Sequence, residues 1–163
     1  MKTAVGYTGG RDDVKNPSYQ DVCSGETGHA EAVQIEFDPQ IVKYEELVGK
    51  YIDLYGVFWL ILIICSAIQE FFYRTHDPTT KDRQGNDVGT NYRSAIFTHS
   101  DEQAQIAKAV TSDIQAKHFD TKGLKIVTTI EPFKEWFPAE DYHQEYLLKN
   151  PSGYHCATHI LHW

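Results

Sequence analysis

Early in the chain, over Glu31 to Phe37, apolar and polar positions alternate with a period of two over most of the stretch, the mark of β structure. Val5 to Tyr7 reads as the end of a short strand, and Thr8-Gly9-Gly10 then supplies turn chemistry. Arg11 to Tyr19 is polar and contains Pro17, which predicts a surface loop. From Glu31 to Phe37 the alternation places Val33, Ile35 and Phe37 on one face and Gln34 and Glu36 on the other. That pattern predicts a half-buried strand, closed by Asp38-Pro39. Tyr44 to Val48 then begins a helix of good helix formers.

Gly49 to Gln69 is different in kind, because the 16 residues between Asp53 and Glu70 carry no charge. A membrane span takes about 20 predominantly apolar residues. The run therefore falls short unless flanking Tyr and Ile extend it, and a buried core helix is the other reading. Glu70 to His76 reads as the last turns of a helix ended by Asp77-Pro78, and Thr79 to Asn91 as loop. Ser94 to Phe97 predicts a strand, and Ser100 with Gln103 a capping box opening a helix over Asp101 to Lys117. Leu124 to Ile130 is β-branched and predicts a strand, Ala139 to Leu148 a short helix, and Asn150 to Trp163 an irregular tail. Strands alternating with helices predict an α/β or α+β two-layer domain.

Composition narrows the function classes. A length of 163 residues fits one domain, and 41% apolar with 23% charged residues supports a packed core. Fifteen Lys plus Arg against 23 Asp plus Glu give a net charge of −8. Nucleic-acid binding draws its affinity from Lys and Arg at phosphates, so a nucleic-acid partner is not expected. Cys23, Cys65 and Cys156 are too few and too odd in number for a disulfide scaffold. They favour a reducing, cytoplasmic compartment, and Met1 to Gly10 lacks the apolar core of a signal peptide.

Three loops collect the polar residues: Thr8 to Glu31, His76 to Tyr92 and Gly153 to His162. Glu31 shares the parity of Val33 and Ile35, which aims it at the apolar face, where burial would hold it partly protonated as a general acid. The plain alternative is a solvated Glu31 with strand pairing starting later. Tyr19, Asp87 and Tyr92 offer hydrogen bonds to the same cleft, although loop tyrosines commonly serve as surface cover. Gly85-Asn86-Asp87 lacks the ligand spacing of a calcium loop. In the tail, Cys156, His155, His159 and His162 make a weak zinc signal without a second Cys. Cys156 also reads as a thiol on an arm that attacks another sulfur, or as an incidental cysteine.

Taken together, these stretches resemble one family, the A-type peptide methionine sulfoxide reductases, which act on the S epimer of the sulfoxide. The resemblance rests on Gly6-Tyr7-Thr8-Gly9-Gly10, Asn16-Pro17-Ser18-Tyr19, Val22-Cys23-Ser24-Gly25 and Thr27-Gly28-His29-Ala30-Glu31-Ala32-Val33. It continues through Glu36-Phe37-Asp38-Pro39, His76-Asp77-Pro78-Thr79-Thr80, Arg83-Gln84-Gly85-Asn86-Asp87 and Gly89-Thr90-Asn91-Tyr92-Arg93-Ser94-Ala95-Ile96. Tyr142-His143-Gln144 and Asn150-Pro151-Ser152-Gly153-Tyr154 complete it.

The resemblance implies an α+β, ferredoxin-like two-layer sandwich with a long irregular C-terminal tail, acting as a monomer without cofactor or metal. It implies Glu31 as the acid that protonates the departing sulfoxide oxygen, and Tyr19 and Tyr92 as the hydroxyls that hold it, with Asp87 in support. It implies Cys156 as a recycling thiol that passes a disulfide to thioredoxin.

Two departures shape the expectation for this chain. The family's Gly-Cys-Phe-Trp-Gly nucleophile motif occurs nowhere among these residues, and the chain starts abruptly, which leads us to expect a first strand and helix to be lacking. Deleting the 21 residues Gly49 to Gln69 joins Val48 to Glu70 and restores a helix of family appearance. We expect that segment to be an insertion, of the length of a short intron read in frame. A non-catalytic sulfoxide-peptide binder and a membrane-attached protein are the alternative functions.

Overall fold

The computed structural model describes residues 2–36, 38, 40–41, 70–158 and 160–162. The apolar run Gly49 to Gln69, the expected start of a helix at Tyr44, and Phe37, Cys65 and His159 lie outside the described residues. Among the described residues no helix is long and apolar enough to cross a membrane.

A three-stranded antiparallel sheet has β1 (Lys2–Thr8) at its centre, with β2 (Ala30–Glu36) on one side and β7 (Phe137–Pro138) on the other. β1 and β2 pair along their whole length, from Lys2 opposite Glu36 to Thr8 opposite Ala30. Gly6 has to be glycine, since a Cβ there would overlap the Phe137 carbonyl and the Trp136 ring. Tyr7, Val22, Phe137 and Ala139 form a small core beneath this sheet.

A second sheet holds β5 (Ala95–Thr98) and β6 (Thr129–Pro132), paired in parallel from Ala95 opposite Thr129. Helix α3 (Asp101–Ile114) packs on this pair and buries Ala107, Val110 and Ile114, spaced so that they fall on one stripe. With Tyr73, Ile96, Phe119 and Ile126 they make the larger core. Ser100 caps α3, its Oγ accepting from the Gln103 N–H at 3.2 Å, but the expected box closes one residue early: the Gln103 side chain accepts from the His99 N–H at 2.8 Å in place of the Ser100 N–H.

Several elements differ from the sequence expectation, each for a local reason. α3 ends at Ile114, not Lys117; a π-turn over Gln115–Phe119 and a short 3-10 turn carry the chain to Gly123, left-handed at φ 65°. The strand expected over Leu124 to Ile130 begins only at Thr129. Residues before it spend their N–H groups elsewhere: Leu124 on the Phe119 carbonyl, Ile126 on the Gln115 side chain, and Val127 on the Pro78 carbonyl. The helix expected over Ala139 to Leu148 shrinks to α4 (Tyr146–Lys149), because Ala139 donates to the Val5 carbonyl and Glu145 is left-handed at φ 53°.

The loop expected over Arg11 to Tyr19 runs into a short helix at its last residue, α1 (Tyr19–Cys23), opened by a Ser18/Asp21 capping box. α2 spans Glu70–Arg74. Within the Thr79 to Asn91 loop lies a small hairpin of β3 (Arg83–Gln84) and β4 (Asp87–Val88). β2 forms where expected, but it is the edge strand of its sheet, and Val33 and Ile35 stand 60% and 41% exposed. The tail beyond Asn150 is irregular, as its composition predicts.

Candidate active site

The site is assembled around α1. Its inner residue Val22 is fully buried, and the Glu140 carboxylate clamps the helix start to β1. One Glu140 oxygen accepts from the Tyr19 N–H and the other from the Tyr7 hydroxyl, both at 2.9 Å. Gln144 ties the same region to β1, accepting from the Val5 N–H at 3.0 Å and donating to the Val5 carbonyl at 2.9 Å. Tyr19 and Cys23 are four residues apart on α1 and so share one face. The Tyr19 ring also packs on the His143 ring at 4.7 Å between centroids.

Tyr92 meets this face from the 3-10 turn Thr90–Tyr92, with its hydroxyl 4.0 Å from the Cys23 sulfur. The two phenols and the thiol perturb one another. Tyr19 is held well above the ordinary phenol range, first by its hydrogen bond with Cys23 and then by burial. Burial, followed by the charge of Glu31 and the presence of Cys23, pushes Tyr92 up to about 12. Both hydroxyls therefore keep their protons at neutral pH and are available as donors.

Glu31 enters from the second position of β2, directly opposite Tyr7. The residue as a whole is exposed, as the plain reading of the sequence allowed, yet its carboxyl does not behave as a solvated one. Loss of hydration raises its pKa and the charge of Asp87 raises it further, while an Asn91 Nδ2–H donated at 3.3 Å works the other way. Its strand parity matches Val33 and Ile35 as expected, although that face is the uncovered one.

Asp87 sits on β4, and its Oδ2 accepts from the Tyr154 hydroxyl at 2.9 Å. Gln84, directly across the hairpin from Asp87, receives the tail: the Cys156 thiol points at its carbonyl at 3.6 Å and lies 3.2 Å from the Thr158 hydroxyl. Tyr19, Glu31, Asp87 and Tyr92 are thus brought together with Cys23. Cys156 is placed beside the group, on the hairpin that carries Asp87. Among the described residues no three His, Cys, Asp or Glu side chains come together as metal ligands.

Sequence reasoning named Glu31, Tyr19, Tyr92, Asp87 and Cys156, and passed over Cys23, Asn91, Glu140 and Tyr154 as participants. The Ser18-Asp21 box was the available signal for Cys23, since it starts a helix that aligns Tyr19 with Cys23. A cavity of about 230 Å³ lies elsewhere, lined by Gly10, Lys15, His29, Lys134, Glu135 and Phe137 among others. Its lysines are already paired, Lys134 with Asp12 at 2.9 Å and Lys15 with Glu135, so the convergent chemistry lies at α1.

A family model described as "Peptide methionine sulfoxide reductase" matches residues 1–58 and 61–162. The chain is 48% identical over 163 residues to a "Probable peptide methionine sulfoxide reductase" of Schizosaccharomyces pombe, covering 100% of this chain and 81% of that one. It resembles the crystal structure of Mxr1 from Saccharomyces cerevisiae in reduced form with a TM-score of 0.77 and 38% identity, covering 98% of this chain and 76% of that one. The Mxr1 structure in complex with Trx2 is similar with a TM-score of 0.50 and 25% identity, covering 98% and 69%.

Proposed function

This chain belongs to the peptide methionine sulfoxide reductase family, and from that premise we propose that Glu31, Tyr19 and Tyr92 receive the oxygen of a methionine S-sulfoxide. The observation that carries the reading is the convergence of two proton-bearing phenols and a raised-pKa carboxyl on one exposed spot. A sulfoxide oxygen is a strong acceptor and leaves the sulfur only once protonated. The phenols hold it, and neutral Glu31 supplies the proton.

The balance of the reaction is two electrons and two protons per sulfoxide. A thiol takes the oxygen and becomes a sulfenic acid, releasing methionine. A second thiol, Cys156 in this reading, displaces water from the sulfenic acid and forms a disulfide. A thioredoxin dithiol then reduces that disulfide. The complex of the yeast relative with Trx2 supports a partner of this type. No cofactor takes part in these steps. We assign the sheets to a ferredoxin-like two-layer sandwich, with α3 as the layer over β5 and β6, in a monomeric protein of the reducing cytoplasm.

Protonation of Glu31 gives the test. Because the carboxyl is neutral below its pKa and that pKa is raised, binding of a methionine S-sulfoxide peptide should be strongest on the acid side and fall as pH rises through the Glu31 titration. Isothermal titration across pH reads this directly. Binding that does not change with pH, or that strengthens as Glu31 ionises, contradicts the reading.

Tyr154 gives a second expected outcome. Its hydroxyl on Asp87 fastens the tail to the hairpin on one side of Cys156, as the Thr158 hydroxyl does on the other by donating to the Gln84 side chain at 3.1 Å. Tyr154→Phe should loosen the arm and raise the rate of Cys156 alkylation, more so when combined with Thr158→Val, while Cys23 alkylation stays as it was. Mass spectrometry after timed iodoacetamide treatment measures both.

A further inference from the structure

Asn91 is 1% exposed and spends its side chain unevenly. Its Nδ2 donates to Glu31 Oε1 at 3.3 Å, while its Oδ1 is buried with no hydrogen-bond partner. Buried amide oxygens are nearly always satisfied, so an orphan calls for a reason. Gly89 makes the arrangement sterically available: a Cβ at that position would come within 2.5 Å of Asn91 Oδ1, and the backbone there has φ 152°. Turning the amide end for end would aim an acceptor at a carboxylate, which also only accepts when ionised. In the orientation present the amide gives Glu31 a donor that serves it in either protonation state, with its own acceptor left empty.

We propose that Asn91 is a positioning residue for the Glu31 acid: by donating to Oε1 it keeps that oxygen an acceptor and places the acid's proton on Oε2, facing the sulfoxide oxygen. This inference rests on the proposed site. The groups that face the Glu31 carboxyl are Asp87 on β4, Tyr7 on β1, and Tyr92 with Cys23 behind it on α1. The neighbouring Arg93 guanidinium is taken up by the Gly28 and Thr90 carbonyls at 3.2 and 3.0 Å and by Glu131. Asn91 is therefore the group that contributes a neutral donor to this carboxyl.

The test uses the full chain, a short methionine S-sulfoxide peptide without reductant, and carbon-13 detection of the Glu31 carboxyl. Asn91→Leu and Asn91→Ser both remove the donor, one keeping the volume and the other easing packing; the comparison uses whichever retains the wild-type amide spectrum. Loss of the donor should move the Glu31 titration upward, so more of the acid is neutral near pH 7. Peptide affinity should nonetheless fall about tenfold, the worth of one hydrogen bond. A residue that only tuned acidity would give the opposite, tighter binding. Asn91→Gln, which keeps an amide donor, should recover part of the affinity. Unchanged or tighter binding in the folded variants, or a Glu31 titration that does not move, overturns the inference while leaving the site standing. Unchanged affinity in Glu31→Leu overturns the site itself, and this inference with it.

Discussion

The 163-residue chain, assayed with a methionine S-sulfoxide substrate and dithiothreitol, should turn over at or near background. The reason lies in where its thiols are. No cysteine among these residues stands in a Gly-Cys-Phe-Trp-Gly sequence, where the family resemblance puts the attacking thiol and its aromatic pair. Cys156 is occupied at the Gln84 carbonyl on the hairpin. Cys23 is exposed and 4.0 Å from the Tyr92 hydroxyl, which places its sulfur with the groups proposed to hold the oxygen. Attack requires approach to the sulfur from the side away from the departing oxygen, and in the proposed binding mode Cys23 shares the oxygen's side. A rapid rate, abolished by Cys23→Ser, would show that this thiol does attack and would revise the geometry proposed here. Dithiothreitol replaces the recycling steps, so the assay isolates the first step from Cys156 and from thioredoxin.

The second large effect concerns binding, which needs no nucleophile. Removing both phenol hydroxyls, Tyr19→Phe with Tyr92→Phe, should weaken S-sulfoxide peptide binding about a hundredfold, each hydrogen bond contributing roughly a factor of ten. The rings remain, so the packing of Tyr19 on His143 is kept and the fold should tolerate the change. Each single variant should lose about tenfold, the two losses combining in the double variant. A double variant that binds like the parent would mean the phenols only cover the surface, the plain alternative for loop tyrosines.

Much of this arrangement was legible before any coordinates. The Ser100 cap and the helix it opens follow from side-chain chemistry within one segment, and such local rules survive tertiary context. The parity of Glu31 with Val33 and Ile35 along β2 was readable, although the face they share is the uncovered one. What failed was decided by partners distant in sequence. The β-branched stretch from Leu124 to Thr128 looks like strand, but Gln115 and Pro78 take its backbone donors. The segment from Ala139 looks helical, but the Gln144 amide ties it to Val5, 139 residues away. Val33 and Ile35 read as buried because alternation reports which residues share a face, not whether anything covers it.

The site divides the same way. Tyr19, Glu31, Asp87 and Tyr92 were named from motifs, whereas the roles of Glu140 and Asn91 depend on contacts across 121 and 60 positions. Nothing local marks either as a partner of α1 or Glu31. Cys23 was the intermediate case: its four-residue spacing from Tyr19 matters only once Ser18 is seen to start a helix.

The central claim is that Tyr19, Tyr92 and Glu31 together grip a sulfoxide oxygen. A titration of the full chain with the two sulfoxide epimers of one peptide, followed by the carbon-13 signals of these three side chains, tests it most directly. The S epimer should shift all three with one affinity, and the R epimer, which presents its oxygen to another side, should leave them in place. Equal binding of both epimers, or S-epimer binding that leaves the three signals unmoved, would contradict the claim.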